Sequence, residues 1–451
     1  MALPNAAERT QSDLAHLIHP LYHPSDHQEP RIWVEGHGAM MKDLNGVEVI
    51  DGLGGLWNVN IGHGRRELGE AAMQQMHTLA YCSSYTGASN LPAIELAERL
   101  SRLVYPSINT FFFTSGGAES TESSFKTARF YWKTQGKPEK IKIISRMLAY
   151  HGVTMAAMSA TGIPDYWKMF EPRVPHFVHI ASPYPYRFTG GDATTSPGVA
   201  AANLLEEAIL REGPETVAAF IAEPVQGAGG VIIPQDDYFP RIREICDKYE
   251  VLLISDEVIT GFGRTGTWFG LEHWGIEPDI MQFAKGITSG YIPMGGIGVS
   301  DTIKTAMDST PPDRRWMHAY TYSGHPTCCA VALANLNILE GEGLVQRAAE
   351  MGNRLLEGLH TLDHLPGVGE VRGLGMMAAV ELVADKATKQ EFPSEVKLGA
   401  RVHREMNQRG LYTRARGDVI CLAPPLVTTA EQIDRIVEIM QEAIPAAMQS
   451  V

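Results

Sequence analysis

The sequence predicts an α/β protein: a large unit on a mostly parallel sheet between helices, joined to a smaller α+β unit. Three observations carry this. Apolar strand-like runs alternate with helix-like runs through the middle of the chain, the pattern of parallel strands linked by crossover helices. The runs read as strands buried on both faces. Near residue 330 the texture changes to a long helical stretch followed by a glycine-punctuated hairpin pattern.

The elements follow in order. The first 60 residues are loop-rich and are expected to join the smaller unit at the mouth of a site. "NTFFFTS" (109–115) reads as a buried strand and "AESTESSFKTARFYWKTQ" as the helix after it. "KIKIIS" (140–145), "VAAFIAEP" (217–224) and "VLLISDEV" (251–258) are three more strands, the last two separated by the helix-like "DDYFPRIREICDKYE". "AVALANLNILEGEGLVQRAAEMGNRLLEGLHTL" predicts one long helical stretch, "GVGEVRGLGMMAAVELV" a hairpin, and residues 430–448 a closing helix. The expected partition is an N-terminal segment 1–60, a large unit 61–329 and a C-terminal unit 330–451.

A chain of 451 residues is long enough for more than one structural unit. The net charge of −14 argues against general affinity for nucleic acid or anionic membrane, which need clustered positive charge. It leaves room for a local anion site. Five cysteines without a CxxC pair fit a reducing compartment. No basic segment leads into an apolar run at the start, and no run of about 18 uncharged apolar residues occurs. The expectation is a cytoplasmic protein.

Three motifs carry chemistry. In "FFFTSGGAESTE" a strand ends at Thr114 and a helix begins near Ala118. The first N–H groups of a helix have no intrahelical partner and favour phosphate. Gly116 and Gly117 let an anion approach the main chain; the plain alternative is a tight turn. In "LLISDEVITGFGRTG" Asp256 and Glu257 follow a buried strand, where α/β proteins place ligands. The alternative is a strand-end acid paired with an arginine such as Arg264. The third motif is Lys285 in "DIMQFAKGITSGYIPMGG", after an apolar stretch and before a loop of small residues. A desolvated lysine has a lowered pKa and acts as a neutral nucleophile; alone, it reads as a solvated strand-end lysine. Together, a phosphate cradle, a strand-end carboxylate and a nucleophilic lysine are what pyridoxal phosphate (PLP) requires. "AYHG" adds Tyr150 and His151 beyond a strand, where a flat ring stacks on a cofactor or simply fills the core.

The sequence resembles the class III aminotransferases of PLP fold type I, and within them the ω-amine:pyruvate transaminases. The resemblance covers nearly the whole chain. It rests on "GLGGLWNVNIGHG", "TSGGAESTE", "AYHGVT", "AEPVQGAGGVI", "ISDEVITGFGRTG", "FAKGITSGYIPMGG", "YTYSGHPTCCA" and "RARGDVICLAPPL", in the family's order. It implies a large domain with a sheet of the seven-stranded type, and a Schiff base between Lys285 and the cofactor. Lys285 then carries the proton between the substrate carbon and the cofactor. Asp256 pairs with the pyridine nitrogen, Val258 and Tyr150 pack on the ring, and Glu223 helps fix it near the ring hydroxyl. Gly117 and Ala118 give N–H bonds to the phosphate. Thr321 reaches the phosphate of a neighbouring subunit, implying an obligate homodimer or a tetramer. Gly116-Gly117-Ala118 departs from the family's Ser-Gly-Ser, so hydroxyl donors are missing and phosphate binding leans on the backbone and Thr321.

On the substrate side, Trp57 and Tyr22 match pocket-lining positions of the resembling enzymes; plain aromatic packing is their alternative. Arg414 in "RARGD" matches an arginine that binds a carboxylate, a task suited to a bidentate guanidinium. Arg416 competes with it, and a surface salt bridge is the alternative for either. His16, His19, His23 and His27 have helical spacing, but Pro20 and Pro24 interrupt it, and no metal is expected. The expected reaction moves an amino group from a primary amine or ω-amino acid (β-alanine, taurine, a diamine) to pyruvate. Use of 2-oxoglutarate, an aminomutase or decarboxylase on the same fold, and a non-catalytic PLP-binding dimer are the alternatives.

Overall fold

A computed structural model describes residues 5–449. Its main sheet has seven strands in the order Ile108–Thr114, Gly295–Ser300, Ile280–Phe283, Leu252–Asp256, Val217–Ala222, Lys142–Arg146, Phe177–Ile180. All run parallel except Gly295–Ser300, which is antiparallel to both neighbours. Successive residues of the central strands enter different cores. Ile143, Ile221 and Ile254 pack with Phe125 and Trp132 of the Gly117–Thr134 helix. Ile144, Phe220 and Leu253 pack with Leu205 and Ile242 of the helices Pro197–Glu212 and Tyr238–Lys248. Burial on both faces is why these strands read as unbroken apolar runs.

Two smaller sheets frame this one. Val368–Leu374, Met377–Leu382, Val419–Leu422 and Arg414–Arg416 form an antiparallel sheet, with the expected hairpin at its start. The other contains Trp33–His37, Met40–Asp43 and Glu48–Asp51, and is completed by Leu411–Tyr412, which pairs in parallel with Ile50 and Asp51. The N-terminal segment is thus sewn to the C-terminal part of the chain.

The stretch expected as one long helix is two, Pro326–Gly341 and Leu344–His360, bent by 60° at the break. Gly343 turns the chain there with φ +60°, a conformation glycine adopts without steric cost. The first of the pair packs on helices Arg66–Leu79 and Leu91–Ser101, so a boundary at residue 330 falls inside a helix that lies on earlier parts of the chain. Among the described residues no single helix is long and apolar enough to cross a membrane.

Candidate active site

Residues at and just beyond the ends of three neighbouring strands, Val217–Ala222, Leu252–Asp256 and Ile280–Phe283, come together around one cavity. Asp256 closes the Leu252–Asp256 strand and is buried. Its Oδ2 lies 2.6 Å from His151 Nδ1 and its Oδ1 accepts the Val258 N–H at 3.1 Å. Arg264 is not its partner: that guanidinium donates to the carbonyls of Met376, Ala423 and Pro424 and to Asn60 Oδ1. Glu257, one residue on, is enclosed elsewhere. It accepts from the Tyr105 and Thr260 hydroxyls, from Ser255 Oγ at 3.1 Å and from the N–H groups of Gly270 and Leu271. Of the adjacent acids, Asp256 faces the site and Glu257 ties the turn together.

Lys285 stands just beyond the neighbouring strand, Ile280–Phe283, and opens a single 3-10 turn, Lys285–Ile287. Its φ of +48° is uncommon for a residue with a Cβ and is tolerated where the surroundings over-determine it. The side chain is partly buried and faces the cavity. Burial pulls its pKa down to about 8, against the opposing pull of Asp256 and Glu223 and with the help of Arg414 and Arg264. A lysine in that range supplies free amine near neutral pH.

The Gly117–Thr134 helix starts opposite, with Gly116 at its N-cap in extended conformation. A Cβ on Gly117 would come within 3.2 Å of Val258, so glycine keeps the approach to the helix start open. Gly152 has φ +120°, and a Cβ there would sit 2.8 Å from the Ala118 Cβ. The first-turn N–H groups of this helix are of the kind that bind phosphate.

Glu223 follows the Val217–Ala222 strand and is buried. Its two oxygens accept the N–H groups of Tyr150 and Gly227, each at 3.0 Å. Burial first, then repulsion from Asp256, raises its pKa to about 7, with His151, the Tyr150 N–H and Arg146 pulling the other way. Gly117, Ala118, Tyr150, His151, Glu223, Asp256, Val258 and Lys285 all line one cavity of about 170 Å³. Gly152, Val153 and Ile259 line it too and were not singled out in the sequence. Tyr150 stacks obliquely on Tyr166, ring centroids 5.5 Å apart.

The remaining sequence-predicted residues fall outside that wall. Gly116 caps the helix without lining the cavity. Trp57 is buried in one apolar cluster with Leu53, Val225, Ile259 and Met377, of which Ile259 lines the cavity. Tyr22 is exposed and stacks on His27 at 5.5 Å. Thr321 lies on an exposed turn, its carbonyl accepting from the Tyr81 hydroxyl at 2.9 Å. Arg414 is half-buried on the Arg414–Arg416 strand, and its charge acts on both Lys285 and Tyr150. Arg416 lies two residues on along the same strand. Among the described residues no carboxylate forms an ion pair with the Arg414 guanidinium, and no group of three or more His, Cys, Asp or Glu side chains is placed to hold a metal ion.

Comparison with known proteins identifies this arrangement. The family model for class-III aminotransferases matches residues 21–444. A putrescine–pyruvate aminotransferase of Pseudomonas aeruginosa is 42% identical over 92% of this chain and 90% of its own. A diaminobutyrate–2-oxoglutarate transaminase of Halomonas elongata is 42% identical over the same shares. A thermostable (S)-enantioselective ω-transaminase structure from Thermomicrobium roseum superposes with a TM-score of 0.94 at 50% identity, covering 99% of both chains. The ω-transaminase of Pseudomonas jessenii, solved with pyridoxamine phosphate (PMP), gives 0.94 at 39% over 98% of both. Fold and cavity together define a PLP-dependent enzyme of fold type I. The chain belongs to the class-III aminotransferases, and PLP is its cofactor.

The residues present fit that group. The open helix start at Gly117 and Ala118 offers N–H donors for its phosphate, and Asp256, braced by His151, is placed for its ring nitrogen. Lys285 presents an amine to the same cavity.

Proposed function

We propose that this enzyme transfers an amino group from a primary amine or ω-amino acid, diamines included, to pyruvate. The observation that carries the reading is Arg414. A half-buried cation with no ion-pair partner among the described residues, close enough to act on Lys285 and Tyr150, is suited to grip the carboxylate of a keto acid beside the reacting amine. The same arginine supports the use of both carboxylate-bearing and carboxyl-free substrates if it turns aside for the latter. The putrescine–pyruvate relative and the ω-transaminase neighbour support the donor class and the acceptor. The diaminobutyrate–2-oxoglutarate relative, equally similar, supports 2-oxoglutarate as the second acceptor to test.

When bound, PLP supplies an electron sink that makes the proton next to the substrate nitrogen removable. Lys285 holds the position from which that proton is taken up and returned, and burial keeps its amine available as a base. Asp256 brings its carboxyl group to the cavity wall, with the His151 ring fixing its orientation. Tyr150 and Val258 wall the cavity and exclude water.

In this reading the enzyme works as a homodimer, Thr321 of one copy completing the phosphate site of the other. Its place on an exposed turn away from its own cavity supports that role. Five free cysteines support a cytoplasmic setting. The test is product analysis of the PLP-loaded enzyme with β-alanine, putrescine and 1-phenylethylamine, each against pyruvate and 2-oxoglutarate. Alanine formed faster than glutamate supports the reading; glutamate alone would replace pyruvate by 2-oxoglutarate, and neither product would refute the transfer.

A further inference from the structure

Arg146 is the last residue of the Lys142–Arg146 strand and is fully buried. A buried guanidinium normally faces a carboxylate, because an unpaired internal charge is costly. Here, among the described residues, no carboxylate forms an ion pair with it. Its Nη2 donates to the backbone carbonyl of Glu223, and its guanidinium lies 5.8 Å and 5.9 Å from the ring centroids of Tyr238 and Phe239. Nε and Nη1 meet no acceptor at good hydrogen-bond geometry among the described residues, and the Tyr238 hydroxyl is the polar group beside them. The one bond it makes is to the main chain of Glu223, and its charge also favours the ionised Glu223 carboxylate.

Glu223 connects two segments of the cavity wall. One oxygen holds the Tyr150 N–H and the other the Gly227 N–H. The ionised carboxylate accepts both bonds; a proton on either oxygen competes with one of them. The groups facing Glu223 are Asp256, which opposes its ionisation, and Arg146, His151 and the Tyr150 N–H, which favour it. Lys285 is close enough to feel the Glu223 charge. Arg146 also acts on the Tyr238 hydroxyl, and so does the Cys246 thiol.

We propose that Arg146 is a positioning residue for transamination: it holds Glu223 in its ionised form and in place, and so fixes Tyr150 and the Gly227 turn against the cofactor cavity. Arg146 does not line the cavity; it acts through Glu223. The device gives the enzyme an acidic limit, because protonation of Glu223 releases the Tyr150 segment.

The test uses R146M, R146K, E223Q and the double variant R146M/E223Q, with circular dichroism to confirm folding. Two readouts are taken across pH: the affinity of the cofactor-free protein for PLP, by quenching of tryptophan fluorescence, and kcat/KM of the loaded enzyme. In R146M the acidic limb of both profiles is expected to move to higher pH, because a positive charge that favours the ionised carboxylate is removed. R146K keeps a charge and is expected to restore most of that shift. In E223Q the limb disappears, and adding R146M changes neither profile further, the mark of two residues acting as one. A folded R146M with the wild-type limb overturns the proposal. So does a shift that persists in the E223Q background. If R146M does not fold, E223Q decides: retention of the wild-type acidic limb overturns the proposal.

Discussion

Replacing Arg414 with alanine separates the carboxylate-bearing substrates from the others. Arg414 is half-buried, so its charge is screened less than that of a surface arginine. Each hydrogen bond from a guanidinium to a carboxylate contributes about 1.5–3 kcal/mol. Losing one bond's worth lowers kcat/KM for pyruvate by about tenfold to 150-fold; losing a bidentate pair lowers it more. A carboxyl-free donor such as 1-phenylethylamine makes no such contact, and its half-reaction is expected to stay near wild type. A second effect has a definite sign. Arg414 helps depress Lys285, so the alanine variant raises the Lys285 pKa above about 8 and moves the corresponding limb of the rate profile to higher pH. The assay is single-turnover conversion of the loaded enzyme by 1-phenylethylamine, followed by regeneration with increasing pyruvate, across pH. Equal loss in both halves, or an unmoved limb with selective loss of neither, would refute the role assigned to Arg414.

Three further outcomes are expected. Lys285→Ala abolishes turnover while the protein still takes up PLP non-covalently, checked by dialysis and absorption; residual wild-type turnover would contradict the role of this amine. Gly152→Ala places a Cβ 2.8 Å from the Ala118 Cβ at φ +120°; overpacking of that kind costs about 1–3 kcal/mol, read as weaker PLP affinity and a lower Tm. Glu223 has a pKa of about 7 in the fold against the ordinary 4.5, so the folded cofactor-free protein binds the extra proton between those values. Its stability relative to E223Q is therefore greatest below pH 4.5 and is lost as pH rises through 7, by about 1.4 kcal/mol per pH unit in that window, measured by urea titration at several pH values. The state that functions is the less stable ionised one.

Much of the site was legible because its residues sit where one strand ends and a turn begins. Asp256 and Lys285 each follow an apolar strand at the same edge of the sheet, and the glycines before Ala118 mark the helix start. The strand Gly295–Ser300 was not legible: "GGIGVS" is poor in the residues that favour strands, and only its place between Ile108–Thr114 and Ile280–Phe283 makes it one. The helix break at Gly343 looked like an internal glycine, since a single glycine does not by itself end a helical pattern. Arg146 escaped notice because a charged residue closing a strand ordinarily reaches solvent. Its position four residues before Tyr150 was the available signal. Trp57 is buried in one apolar cluster with Ile259, and Ile259 lines the cavity.

The most direct test of the central claim, that Lys285 and PLP carry out amine transfer in this cavity, is the visible absorption spectrum of the PLP-loaded protein. Lysine-linked PLP is expected to give a visible band that fades on addition of an amine and returns on addition of pyruvate, with alanine released, and K285A is expected to lack the cycle. A band that never forms, or that forms and does not respond to any amine, would contradict it.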